Sequence, residues 1–419
     1  MSVSPSPGRD ISRPEFIALI AALMALNALA VDIMLPALPH MGEALGVASE
    51  NERQFVISAY MFGFGVAQLL VGPLSDRFGR RAPLLGGLVI YIIAAVVAVA
   101  APNFATLLAL RVVQGVGAAG CRVIAVSLVR DRYSGRAMAE VMSLTFMVFM
   151  AIPIVAPSIG QLLLLTGPWQ TIFLFMGGLG IVFTLWGYFR LPETLPPANR
   201  RPLTVGSVLE GFRIVFTNRV AIFYGLAGMF IFAALFGFIT TSQQIYVDIY
   251  GLGVYFPVAF AAVAGLMAIS SFINSRIVAR HGMRRLSHFA LCVFVAVSGL
   301  WLALAIADAL PLWLFLMLLG TIMFMFGWAA SNMNSLSMEP LGAVAGTASS
   351  VFGFIQTLGG VILGGFIGQQ FNGTVIPTAA GYFVLGGLAL VCVLIAEKGR
   401  LFGVSTEYAK TDLTYSEAH

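Results

Sequence analysis

The chain has 419 residues, of which 59% are hydrophobic and only 10% charged, with a formal net charge of +5. A soluble domain carries about 25% charged residues, so this composition excludes a cytosolic enzyme, a disordered regulator and a secreted disulfide scaffold. It fits a chain whose outer surface meets lipid, and the basic excess does not require nucleic acid, because where the charges lie matters more than their sum.

A helix needs about 20 mainly apolar residues to cross the hydrocarbon core. Twelve such windows follow one another, at 15–38, 53–74, 83–101, 104–128, 138–165, 169–190, 219–243, 253–274, 287–308, 311–333, 343–368 and 376–396. The first is too long for a signal-peptide core of about 7–15 residues and reads as a retained span. The fifth and eleventh are long and carry Gly or Pro, so tilt or kinking is expected there.

Of the 23 Lys and Arg, 20 fall in the two tails and the even-numbered loops; Arg53 lies at an outer edge, and Arg111 and Arg122 lie within the fourth span. That asymmetry is the positive-inside pattern and predicts two cytoplasmic termini in a bacterial-type inner membrane. The longest connection divides six spans from six. The expected organisation is a bundle over 1–191, a cytoplasmic linker over 192–218, a second bundle over 219–397 and a tail over 398–419. Arg77-Phe78-Gly79-Arg80-Arg81 after span two and Arg280-His281-Gly282-Met283-Arg284-Arg285 after span eight share an Arg-x-Gly-x-Arg pattern. Six-plus-six repetition is a common way for transporters to build a cavity between halves. The predicted fold is therefore an all-α membrane protein of twelve spans in two pseudo-symmetric six-helix bundles, expected to act as a monomer.

Asp32 is the single acidic residue well inside a predicted span. A centred aspartate costs about 2.5–3.5 kcal/mol on insertion scales, so it should face a wet cavity or a partner. Burial and a nearby cation act on such a carboxyl in opposite senses, which lets proton exchange be tied to cavity opening. Arg111, roughly 10 Å down span four at 1.5 Å per residue, is the candidate partner. Gln114, Ala118 and Arg122 share its helix face, Arg122 being either a pocket residue or one that snorkels inward. Gly115-Val116-Gly117-Ala118-Ala119-Gly120 matches a dinucleotide fingerprint but lacks the strand–helix context, so close helix packing is the expected use. Gly360, Gly364 and Gly368 read in the same way. Second-half pocket candidates are Gln244, Asn332 and Gln356, alongside Ser242, Gln243 and Asn334, although most such amides join helices. Cys121, Cys292 and Cys392 and the four histidines show no ligand spacing, and no metal or cofactor is expected.

Several segments resemble known families. Gly72-Pro73-Leu74-Ser75-Asp76-Arg77-Phe78-Gly79-Arg80-Arg81 resembles the signature of the major facilitator superfamily. The resemblance implies that Gly72, Asp76, Arg77, Gly79, Arg80 and Arg81 form a cytoplasmic latch that breaks during transport. Leu110-Arg111-Val112-Val113-Gln114-Gly115 resembles a second superfamily motif, in which the arginine is linked to proton transfer. Pro153-Ile154-Val155-Ala156-Pro157-Ser158-Ile159-Gly160 resembles the proline-glycine motif of drug/proton antiporters, implying a helix bend at Pro153, Pro157 and Gly160. Asp32-Ile33-Met34-Leu35-Pro36, Val129-Arg130-Asp131-Arg132-Tyr133 and Gly346-Thr347-Ala348-Ser349-Ser350 look like the Bcr/CflA drug-resistance branch. Met34 stands where that branch often has an aromatic residue and is a cavity candidate.

The resemblance implies a proton-driven exporter of small drugs or metabolites working by alternating access, with Asp32 and Arg111 in proton coupling. With two deep arginines against one acid, neutral or anionic compounds are expected over dications. A proton-linked symporter or uptake facilitator is the alternative within transport. An intramembrane enzyme or sensor is remote, because no HExxH, GxSxG or deep carboxylate pair is present.

Overall fold

The structure is a computed structural model, and it describes residues 11–133, 135–196, 200 and 213–402. These form helices α1 (Arg13–Asp32), α2 (Leu38–Ala44), α3 (Phe55–Phe78), α4 (Arg81–Ala98), α5 (Phe104–Arg132), α6 (Gly135–Thr166) and α7 (Gln170–Arg190) in the first half. The second half holds α8 (Arg219–Gln243), α9 (Phe256–His281), α10 (Met283–Ile306), α11 (Leu312–Met338), α12 (Ala345–Gln369) and α13 (Ile376–Ala396). Among the described residues, eleven helical segments are long and apolar enough to cross a membrane, and α6 adds the apolar stretch Ala151–Thr166. Lipid cannot satisfy a bare peptide group, so helices that close their own hydrogen bonds are what such windows must form. Most of the expected linker, at 197–199 and 201–212, and the tail from 403 onward lie outside the described residues.

One expected span differs. The first window, 15–38, is not one helix: α1 stops at Asp32, a 3-10 turn spans Leu35–Ala37, and α2 begins at Leu38. Pro36 cannot donate to the carbonyl of Asp32, and its ring blocks a continuous helix. Pro39 repeats the effect one turn on.

Each half packs within itself, α1 against α5 and α6 and α3 against α4 and α5, with α8 against α11, α12 and α13 in the second. The halves meet where α3 lies along α12 and α6 along α9. From Leu19 to Leu38 the α1 region is almost wholly enclosed, whereas Leu70, Ile93, Val113, Leu162, Phe272, Trp313 and Phe366 point outward as a lipid-facing belt.

Small residues set the closest approaches. A Cβ on Gly115 would lie 1.9 Å from the Tyr60 carbonyl oxygen, and one on Gly63 would lie 2.0 Å from that of Val112, so α3 and α5 touch backbone to backbone. Gly364 does the same against Ala233 of α8, at 2.5 Å. The glycine run in α5 is therefore a packing face, as the missing strand context implied. The sequence repeat is also visible in the backbone: Gly79 (φ 90°) and Gly282 (φ 80°) make matching left-handed turns between α3 and α4 and between α9 and α10.

Gly115→Ala is expected to destabilise the detergent-solubilised protein by about 1–3 kcal/mol, the usual cost of overpacking. Gly86→Ala, whose added Cβ meets nothing within 4 Å, should be neutral or stabilise by up to about 1 kcal/mol. Thermal unfolding of the two variants side by side checks both signs.

Candidate functional site

Asp32 is the last residue of α1, 4% exposed, and its Oδ1 has no hydrogen-bond partner among the described residues. No ion pair involves it among those residues. A carboxylate at a helix C-terminus also meets the negative end of the helix dipole. The neutral acid is the form that such a place accommodates, since an unpaired buried charge is expensive.

The expected Asp32–Arg111 pair is not formed. Arg111 is fully buried and donates from Nε to the carbonyl of Val56 (3.0 Å), from Nη1 to Gln114 Oε1 (2.7 Å) and from Nη2 to the carbonyl of Ala30 (2.9 Å). Its guanidinium also lies 4.4 Å from the ring centre of Tyr60, whose hydroxyl donates to Asn27 Oδ1 at 3.0 Å. The reason lies in the α1 break. Met34 N–H turns back to Val31 rather than to Ala30, so Ala30 is left with an orphan carbonyl at a helix end, and a cation there is favoured. Arg111 caps α1 two residues short of the carboxyl it was expected to meet.

The break is also what α6 packs on. A Cβ at Gly160 would sit 2.2 Å from the Ile33 carbonyl oxygen and 3.0 Å from Pro36 Cγ. Gly160 thus lets α6 press against the residue following Asp32. Pro153 and Pro157 lie inside α6, which runs from Gly135 to Thr166 as one helix.

Above the break, at the ends of the halves opposite the termini (the expected outer ends), a web of amides joins the two halves. Gln54 donates to Gln244 Oε1, and Gln244 Nε2 donates to Asn51 Oδ1 at 2.8 Å. Asn51 Nδ2 reaches the carbonyls of Gln369 (3.0 Å) and Phe371 (2.9 Å), and Gln369 Nε2 returns to the Asn51 carbonyl at 2.7 Å. Gln244 is therefore a seal residue here rather than a pocket residue. Asn51, Gln54 and Gln369 were not singled out from sequence, because polar residues at span ends carry no pattern that separates a seal from a wet loop.

At the opposite ends, expected to be the inner ones, the ion pairs among the described residues stay within each half. Arg80, 3% exposed, donates to Ser75 Oγ (2.8 Å) and Asp131 Oδ2 (2.9 Å) and pairs with Asp76. The backbone N–H groups of Arg80 and Arg81 both donate to Glu193, at 2.8 and 3.1 Å. Burial alone would lower the Arg80 pKa, but its hydrogen bonds to Asp131 and Asp76 and their charges outweigh that and raise it. Arg80 therefore stays charged at physiological pH, and this junction is insensitive to it. Arg81 reaches the Tyr188 carbonyl, and Arg77 lies over the ring of Phe78. Of the latch residues, Gly72 approaches the second half, a Cβ there falling 3.3 Å from Ser350 Oγ of α12. In the second half Arg284 bonds Glu397 (2.9 Å) and Glu339 (3.3 Å). Among the described residues no ion pair crosses between the halves.

The remaining candidates divide. Met34 is fully buried in the core and lines no open space. Asn332 joins helices, donating to Asn274 Oδ1 at 2.8 Å and to the Trp328 carbonyl at 2.9 Å. Arg122 and Gln356 are both partly exposed.

If the amides hold the outer ends together, removing two should loosen the seal. At about 0.5–1.5 kcal/mol per hydrogen bond, Gln54→Ala with Gln244→Ala is expected to speed maleimide labelling of a cysteine at Thr240 about tenfold or more. Thr240 is 1% exposed and lies under the seal, beside Gly368. A membrane-impermeant reagent on a background lacking the native cysteines makes the measurement, and equal rates would contradict it.

The description of the major facilitator superfamily matches residues 20–364 of this chain. A bicyclomycin resistance protein homolog of Haemophilus influenzae is 30% identical over 382 residues, covering 90% of this chain and 94% of that protein. The multidrug resistance protein MdtL of Citrobacter koseri is 30% identical over 383 residues, covering 89% and 93%. Among solved structures, the human organic anion transporter MFSD10 (TETRAN) superposes with a TM-score of 0.66 at 19% identity, over 92% of this chain and 100% of that one. A D-xylose-proton symporter gives 0.68 at 14% identity, over 92% and 99%; at these identities the two structures establish the fold alone. The helical spans agree with these matches: the chain is a multi-pass membrane transporter, not an enzyme, and belongs to the major facilitator superfamily.

Proposed function

We propose that this transporter exports small amphipathic drugs or metabolites, neutral or anionic, in exchange for protons, and that Asp32 carries the proton. The observation behind this reading is the placement of Asp32: an enclosed carboxyl with an unsatisfied oxygen, at a helix break that α6 of the same half contacts through Gly160. The resistance proteins among its relatives support drug-type cargo. The distribution of arginines supports two cytoplasmic termini and an inner membrane of bacterial type.

In this reading the halves 1–191 and 219–397 rock about the α3–α12 and α6–α9 contacts. With the outer amide seal closed, Asp32 holds a proton because its enclosure disfavours a bare charge. Cargo entering from the inner side hydrates or displaces the contacts around the break, and the proton leaves inward. Return to the outer-open form lets Asp32 take a proton from outside. Arg111 serves by holding the end of α1 in place while the carboxyl cycles, and the Gly72–Arg81 loop braces the inner ends of α3 and α4.

Inside-out vesicles test the direction and the carrier. One proton exchanged against a pH difference of one unit supports about tenfold accumulation, since one pH unit is worth about 1.4 kcal/mol. Wild-type vesicles are expected to accumulate a neutral phenicol-type drug to roughly this level when the lumen is acid. Asp32→Asn should abolish the gradient-driven part. Gradient-driven accumulation that survives Asp32→Asn, or uptake into whole cells, would contradict the proposal.

A further inference from the structure

Arg122 is a membrane-depth cation with no hydrogen-bond or ion-pair partner among the described residues. It lies on α5, ten residues from the helix's inner end at Arg132, or about 15 Å at 1.5 Å per residue. The lipid side of α5 is marked by exposed Val113 and Val116. Arg122 follows Val113 by nine residues, which at 100° per residue places it half a turn away. It shares its face with Arg111, Gln114 and Ala118, all buried. Its partial exposure is therefore to space inside the transporter and not to lipid. Arg111 uses Nε, Nη1 and Nη2 on protein acceptors, whereas Arg122 makes no hydrogen bond, ion pair or ring contact among the described residues. Asp32, the acid within the spans, lies at the far end of α1, while Arg122 is on the opposite, Arg132-ward part of α5.

The other half carries a second group of this kind. Gln356 of α12 lies eleven residues from that helix's inner end at Ala345, again about 16 Å deep. The levels of the two halves are tied together by Gln68 of α3, which donates to Thr357 Oγ1 at 3.0 Å. Gln356 is partly exposed and has no hydrogen-bond partner among the described residues. A Cβ at Gly228 of α8 would lie 3.0 Å from its Nε2, so the amide lies beside α8 of its own half. A guanidinium on one half and an amide on the other, at one level and both without hydrogen-bond acceptors among the described residues, are donors suited to an oxyanion. An uncompensated cation at membrane depth is costly, and a bidentate oxyanion is the ligand that compensates arginine best.

We infer that Arg122 is the docking group for an anionic head on the cargo, a carboxylate or sulfonate on an amphipathic body, with Gln356 as its neutral partner from the other half. This deepens the exporter reading and rests on it for the word cargo. It assigns the substrate class to one residue. The cargo would bridge the halves, and its charge would be neutralised without involving Asp32, which stays available for the proton.

The test is equilibrium binding to purified full-length protein in detergent, read by ligand-induced thermal stabilisation across a concentration series. The probes are 1-naphthalenesulfonate, permanently anionic, and 1-naphthalenesulfonamide, its neutral analogue. The wild type is expected to bind the sulfonate at least tenfold more tightly than the sulfonamide. Arg122→Gln should bring that ratio to within about twofold, and Arg122→Lys should retain most of it. A wild-type ratio near one overturns the assignment and needs no variant to fold. A wild-type preference unchanged in Arg122→Gln also overturns it, as does equal stabilisation by inorganic phosphate, which would mark a simple counter-ion site. Because no proton gradient is used, the two readings fail separately. Charge-selective binding without gradient-driven transport would remove the exporter and keep Arg122 as an anion site. Proton-driven export of a neutral drug with a ratio of one would do the reverse.

Discussion

The interruption of α1 at Asp32 is the constraint on which the rest of the site depends. A proline four residues after Asp32 removes the donor that would have continued the helix, and lipid offers no replacement. The freed carbonyls therefore have to be met by protein. Arg111 meets the one on Ala30, and α6 closes on the one at Ile33 through a residue that has no side chain. What remains at the break is a carboxyl with nothing assigned to it. Its isolation is a product of the packing: the neighbouring cation is already committed to backbone, stacked over Tyr60 and bonded to Gln114.

The two membrane faces are built from different chemistry. The outer contact between halves is a web of amides and backbone carbonyls. At the inner face, charge is concentrated but spent locally, on Arg80 with Asp76 and Asp131 in one half and on Arg284 with Glu339 and Glu397 in the other. The amide hydrogen bonds themselves carry no titratable group, although Asp248 of the second half faces Glu50 and Arg53 of the first beside them. Charges satisfied within a half brace it as a rigid body and leave nothing unpaired when the inner ends part.

Much of this was legible in the amino-acid order, because membrane insertion imposes simple rules. Window length and arginine placement marked the spans, and the Arg-x-Gly-x-Arg pattern marked two left-handed turns that both halves share. Asp32 stood out because an acid inside a span is costly. The pairing of Asp32 with Arg111 was misjudged, since depth alone cannot reveal that a proline-induced orphan carbonyl competes for the same guanidinium. Pro36 and Pro39 held that information. Gln244, expected in the pocket, is drawn into the seal by Asn51 and Gln54, residues 193 and 190 positions away. Asn332 follows the general tendency of membrane amides to join helices. Glu193, which caps the turn after Gly79, could not have been found, as an acid in a loop has no distinguishing pattern. Met34, fully enclosed, showed that a family position can be core rather than cavity wall.

The central claim is that the Asp32 side chain is a neutral acid while the outer seal is closed and loses its proton when cargo binds. Infrared difference spectroscopy of the purified transporter reads this most directly, through the C=O stretch of a protonated carboxyl group. Adding a transported compound is expected to produce one negative band of that type in the wild type, absent from Asp32→Asn. An unchanged carboxyl region, or the same negative band persisting in Asp32→Asn, would contradict the account.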